Sequence, residues 1–114
     1  MKHNMKLKDG PYNSIYHGTK DIEMRLFDDK RKLININDII TFTNINTMES
    51  FDVRVINLHK CNNFEELYNM FDKTRLGYRR DEEALPNDMK RYYSDEEILK
   101  YGVVGIEIKK LRYQ

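Results

Sequence analysis

Cysteine occurs once in the 114 residues, as Cys61, which excludes an intramolecular disulfide and any zinc site that needs two thiolates. A reducing compartment is therefore the expected setting. Proline and glycine are scarce, at two and five residues, and no stretch rich in Gly, Pro or Ser marks a linker. Without repeats or low-complexity tracts either, residues 1–114 are expected to form one domain. No apolar run approaches the ~18 to 20 residues of a membrane span. The start, Met-Lys-His-Asn-Met-Lys-Leu-Lys, has no apolar block like that of a signal peptide, so a cytoplasmic protein with no membrane partner is expected. An excess of one charge is lacking too: 20 Lys and Arg face 19 Asp and Glu, which excludes a strongly basic arm or an acidic tail. Any site for a polyanion must be a local patch. His3, His17 and His59 are scattered and match no metal-ligand spacing, so neither a metal nor a cofactor is expected. The G-x-x-x-x-G-K-[ST], G-x-S-x-G and H-E-x-x-H motifs of common hydrolases are also missing.

What is present is 34% charged residues and thirteen Tyr and Phe, enough aromatic surface to bury around a small core. Met5 and Leu7 alternate with Lys6 and Lys8 in a short strand that ends at Asp9-Gly10-Pro11. Pro11 opens a short helix through Tyr12, Ile15 and Tyr16, and Gly18 suits the left-handed residue beyond its end. From Asp21 to Leu26 the period changes to two: Ile22, Met24 and Leu26 share a buried face, and Asp21, Glu23 and Arg25 share an open, charged one. A solvated connection over 28–32 and a turn at Asn37-Asp38 lead to a strand over 39–44. In the following strand, from Phe51 to about Lys60, apolar parity shifts between Val55 and Ile56, as a bulge or burial on both faces requires.

Phe64, Leu67, Tyr68 and Phe71 form the stripe of an amphipathic helix, with Asn63 and Glu66 spaced as a capping box. Pro86, Met89, Tyr92 and Tyr93 predict a further helical stretch. The next helix, from Ser94 to Gly102, carries a Ser94–Glu97 box and a Tyr93–Ile98 staple. Val104, Ile106 and Ile108 mark a last strand with one buried face. This order predicts an α+β fold, a small β-barrel of about five strands with short helices packed on it. Regular β and α alternation is missing, which argues against a doubly wound nucleotide-binding sheet.

The densest set of functional groups is Gly18-Thr19-Lys20-Asp21-Ile22-Glu23-Met24-Arg25, at a helix-to-strand junction where main-chain N–H groups can also be free. A Lys and an Arg beside a carboxylate can hold a phosphate or sugar edge while Glu23 accepts from a base or ribose donor. Spacing alone favours a cross-strand salt bridge on a solvated strand face, because exposed ion pairs are common there.

Gly18-x-Lys20-x-x-Glu23-x-Arg25 resembles the G-x-K-x-x-E-x-R signature of ASCH domains, members of the PUA-like group of small β-barrels. The resemblance extends along the chain, from Lys30-Arg31 after the signature strand, through Asn37-Asp38, to Tyr92-Tyr93-Ser94, Tyr101-Gly102-Val103 and the final Gly105-Ile106-Glu107-Ile108. The family usually has Gly-Asp where Asn37-Asp38 stands, and Asn also tolerates a left-handed backbone.

The resemblance implies a cleft beside the signature strand that accepts RNA, a nucleotide or a modified nucleoside, lined by Lys20, Glu23 and Arg25. Lys30 and Arg31 are further candidate contacts, as is Tyr78, an aromatic between Gly77 and Arg79 in an apparent loop that is able to stack on a base. A branch of the family hydrolyses the amide of N-acylated cytidines with the signature Lys, a Thr three residues later and a distant Glu. Here Glu23 takes the place of that Thr, so the chemistry needs another nucleophile, such as Thr19, and both Glu65 and Glu66 suit the distant position. Cleavage of RNA, proposed for some relatives, would use Lys20 and Glu23 as an acid and base pair. A protein interaction module without a nucleic acid ligand is the remaining alternative, given the nearly neutral net charge.

Overall fold

The computed structural model describes residues 1–112; Tyr113 and Gln114, the end of the predicted domain, lie outside the described residues. Five strands form one curved sheet, a half-barrel: β1 (Lys2–Leu7), β2 (Ile22–Leu26), β3 (Ile39–Asn44), β4 (Ser50–Cys61) and β5 (Val103–Lys110). Their spatial order is β1-β3-β4-β5-β2, with β1 parallel to β3 and the other pairs antiparallel. The predicted α+β fold is therefore present. Among the described residues, three α-helices accompany the sheet, α1 (Asp9–Tyr16), α2 (Phe64–Met70) and α3 (Asp95–Tyr101), and the helical stretch expected from Pro86 is a 3-10 helix, Pro86–Arg91.

The concave face holds one apolar cluster, built from Met5, Leu7, Ile40, Phe42, Val53, Val55, Val104 and Ile106 and closed by Tyr12 and Ile15 of α1. A second cluster lies on the convex face, where Phe64 and Leu67 of α2, with Leu76 and Met89, cover Ile22, Met24, Leu26 and Val103. Full burial of side chains such as Phe42, Ile22 or Leu67 contributes about 1.5–3 kcal/mol each, which makes these two clusters the main hold on the fold.

Several local expectations take definite form. The register of β4 against β5 slips between Val55 and Asn57, so Ile56 is the bulged residue and is left 42% exposed, while Leu58 returns to the concave side opposite Ile106. Asn63 accepts from the Glu66 N–H, and Ser94 with Glu97 forms the full reciprocal box. Tyr93 stacks on Phe64 with ring centroids 5.9 Å apart. The helix α1 starts two residues before Pro11, so the expected Asp-Gly-Pro turn is its first turn, where Pro lacks no bond. Asn37 has φ +77°, a left-handed conformation that Asn tolerates better than most side-chain-bearing residues.

Antiparallel pairing sets Glu23 opposite Ile106 and Arg25 opposite Val104, so both charged side chains share the concave face. This corrects the expectation of a solvated charged face. Both faces of β2 are covered, the convex one by α2 and residues 71–93, and the concave one by the barrel itself. β1 and β2 are the two sheet edges, and Arg25 Nη2 spans the seam between them by donating to the Lys6 carbonyl at 3.2 Å.

Candidate functional site

The chain between α1 and β2 is pinned from both sides. Gly18, at φ +82°, turns it out of the helix, and the Thr19 and Lys20 N–H groups both donate to the Ser14 carbonyl. The Asp21 and Ile22 N–H groups donate to the Arg75 carbonyl, each at 3.1 Å, and the Arg75 guanidinium grips the Asp21 carboxylate at 2.9 and 3.2 Å. The junction amides expected to be free are thus engaged. What faces the seam instead is side chains.

Lys20 Nζ lies 2.8 Å from Glu23 Oε1, and Arg25 Nε lies 2.8 Å from Glu23 Oε2. Lys20 and Glu23 are only 8% and 5% exposed. Ion pairs on a solvated face are worth little, but these charges are largely withdrawn from water, and each costs several kcal/mol to desolvate before pairing offsets it. Burial works to raise the Glu23 pKa, but the charges and hydrogen bonds of Lys20 and Arg25 outweigh it and hold the carboxyl below its usual value. Burial likewise opposes the charge on Arg25, and the Glu23 carboxylate more than restores it. Lys20 spends one of three N–H groups on Glu23, and Arg25 two of five on Glu23 and Lys6, so both keep donors for a ligand.

These groups form one wall of a cleft of ≈ 650 Å³, within the range of small-molecule sites. Lys6 and Lys8 stand on the β1 side, and Tyr68, Tyr78, Tyr92 and Tyr93 on the opposite side. The Tyr78 hydroxyl donates to Asp88 Oδ2 at 2.8 Å and accepts from the Tyr68 hydroxyl at 2.7 Å. Burial and these two partners push the Tyr78 phenol far above its ordinary pKa, so it stays neutral. Tyr92 is 55% exposed, with Lys8 Nζ 5.9 Å from its ring centre. The cleft thus offers cationic donors, aromatic faces and one buried carboxylate.

Lys20, Glu23, Arg25 and Tyr78 come together here as four of the expected site residues. Lys30 and Arg31 do not reach the cleft wall. Lys30 is exposed ahead of the 3-10 turn Arg31–Leu33, and Arg31 is tied to Asp28 through its N–H at 3.1 Å and its Nη1 at 3.2 Å. Thr19 Oγ1 donates to the Ser14 carbonyl at 3.1 Å, and Thr19, Glu65 and Glu66 all lie off the wall. The Cys61 thiol is half-buried and its pKa is pushed up by burial, as expected of an unreactive thiol.

Sequence reasoning did not pick out Lys6, Lys8, Gly77, Asp88, Tyr92 and Tyr93. The alternation of Lys6 and Lys8 with Met5 and Leu7 put both lysines on an outward face, which was the available signal. The helical pattern accounts for Tyr92 and Tyr93 without a ligand. Nothing local announces Gly77 or Asp88, which reach the site only through the course of the loop.

The family model of the ASCH domain matches residues 5–112. The chain belongs to the ASCH domain family. Among solved structures, the ASCH chain is similar to the crystal structure of hypothetical protein PH0355, with 29% identity and a TM-score of 0.82 over 97% of this chain and 100% of that one. It is also similar to the solution NMR structure of protein PF0455 from Pyrococcus furiosus, with 30% identity and a TM-score of 0.76 over 99% of this chain and 100% of that one. No curated protein matches the chain. Among the described residues of this ASCH domain, no helix is long and apolar enough to cross a membrane.

Proposed function

We propose that this ASCH domain binds single-stranded RNA, or a nucleotide or modified nucleoside, in the cleft between β1 and β2. The observation that carries the reading is the buried Lys20–Glu23–Arg25 array, which presents spare cationic N–H donors to a cavity walled by tyrosines. Phosphate oxygens suit the donors, and bases suit the aromatic faces. Glu23 acts as the organiser: a carboxylate with both oxygens bonded holds the two cations in place.

A binding role fits these groups better than hydrolysis. A general base works best with a pKa near the working pH, and a general acid needs a proton; Glu23 is bonded to a cation through each oxygen and its pKa is held below the usual value, which makes it a weak base and keeps it unprotonated. The nearest hydroxyl in sequence, on Thr19, is turned to the Ser14 carbonyl.

Fluorescence anisotropy of a short labelled single-stranded RNA, at two salt concentrations, tests the reading. Saturable binding that weakens with salt and with Lys20→Ala is expected. Absence of binding at low salt, with free nucleotides and nucleosides also failing to bind, would overturn it.

A further inference from the structure

The helices cover the convex face only in part. α2 and residues 71–93 pack over β2 and Val103 of β5, whereas in β1, β3 and the first half of β4 buried inward residues alternate with outward ones that are exposed or half-exposed. The strand register arranges the outward residues in rows. Lys2, Ile39, Arg54 and Lys109 stand opposite one another across four strands. Asn4, Thr41 and Asp52 form the next row, and Lys6 begins a third with Thr43 and Ser50. Lys2, Lys6, Arg54 and Lys109 are all exposed. The one carboxylate among them, Asp52, accepts from Thr41 Oγ1 at 2.5 Å and lies 3.8 Å from Lys2 Nζ.

We infer that this face is a track for the sugar-phosphate backbone of an RNA strand running out of the cleft, an extension that rests on the RNA-binding reading. Lys6 belongs to both surfaces, as a cleft residue and as a member of the third row, so cleft and track are continuous. The chemistry selects the occupant. Four cations against one carboxylate attract a polyanion, and the neutral positions are hydroxyl and amide groups, which commonly bond phosphate oxygens. Ile39, half-exposed, is the one apolar member of the rows, whereas a protein partner or a lipid surface needs buried aromatic or aliphatic anchors. The spacing points the same way. With neighbouring strands ~4.8 Å apart, Lys2 and Arg54 stand about 10 Å apart in a line, which suits an extended chain of phosphates better than a single small anion.

The test compares labelled RNAs of about four and about twelve nucleotides, within the range of single-strand site sizes, on the wild type, Lys20→Ala and the triple variant Lys2→Gln/Arg54→Gln/Lys109→Gln. In the expected result the triple variant binds the short RNA as the wild type does, which also shows that it folds. It binds the long RNA at least tenfold more weakly, with a salt slope shallower by about 2, from three lost phosphate contacts on a single strand. If the triple variant matches the wild type on both lengths while Lys20→Ala loses the short RNA, the track is overturned and the cleft stands. If the wild type binds only the long RNA, Lys20→Ala leaves that binding intact and the triple variant loses it, the face binds RNA on its own, which overturns both RNA binding in the cleft and a strand running out of it. Failure of the wild type to bind either RNA overturns the track, and equally tight binding of poly-glutamate overturns the assignment to RNA.

Discussion

Gly77 lies so close to the aliphatic stem of Lys20 that a Cβ added to it would stand 3.0 Å from Lys20 Cδ. The loop after α2 therefore sets the position of the ammonium group in the cleft, 57 residues away in sequence. Gly77 also has φ +110°, a conformation that side-chain-bearing residues rarely adopt. Gly77→Ala is expected to cost about 1–3 kcal/mol through backbone strain and to lower RNA affinity by displacing Lys20. Urea denaturation and anisotropy on the same variant check both effects; unchanged stability and affinity would show that the loop yields freely.

Glu23 holds two cations at once, so its removal should cost more than that of either partner. Glu23→Gln leaves Lys20 and Arg25 largely buried and uncompensated, with an expected loss of about 3–5 kcal/mol. The double variant Lys20→Met/Glu23→Gln should lose less than the sum of the two single changes, and additivity in that cycle would mean that the pair is not coupled.

The sequence made the secondary structure legible because local rules govern it. The Ser94–Glu97 box, the bulge after Val55 and the two-residue period of β2 and β5 all depend on neighbours along the chain. Parity, however, tells only which side chains share a face, and not what covers that face. Glu23 and Arg25 read as solvated for this reason, and become an interior array because the sheet curls until its β1 and β2 edges meet at Lys6 and Arg25. Tyr78 stood out as an aromatic in a loop, whereas Tyr92 and Tyr93 had a sufficient structural reason to be apolar. The resemblance makes Lys30-Arg31 a candidate contact, whereas the Arg31 side chain turns to Asp28.

Asp38 predicts an acid-sensitive fold. Hydrogen bonds with His3, at 2.8 Å, and from the Asn35 N–H, at 2.9 Å, outweigh burial and hold its pKa at about 2. In the unfolded chain the group titrates near its ordinary value of about 3.9, so on acidification the unfolded state takes up the proton first. Its stabilising contribution is thus fully present above about pH 5 and is lost as pH falls through about 2. Asp38→Asn should flatten that part of the stability profile in denaturation measurements between these limits, and a profile as steep as that of the wild type would assign the acid sensitivity to other groups.

The turn before Asp38 gives a sharper backbone test. Asn37 is left-handed, so Asn37→Gly should leave stability almost unchanged, while Asn37→Val should cost about 1–2 kcal/mol. Thermal denaturation of the two variants distinguishes them, and equal stability would show that the turn rearranges.

The most direct test of the cleft is an NMR titration of the isotope-labelled protein with a short single-stranded RNA. Saturating shifts at the amides of Lys20, Glu23, Arg25, Gly77, Tyr78 and Tyr92 are predicted. No shifts, or shifts confined to α3, whose exposed Leu99 lies off the cleft wall, would contradict the account.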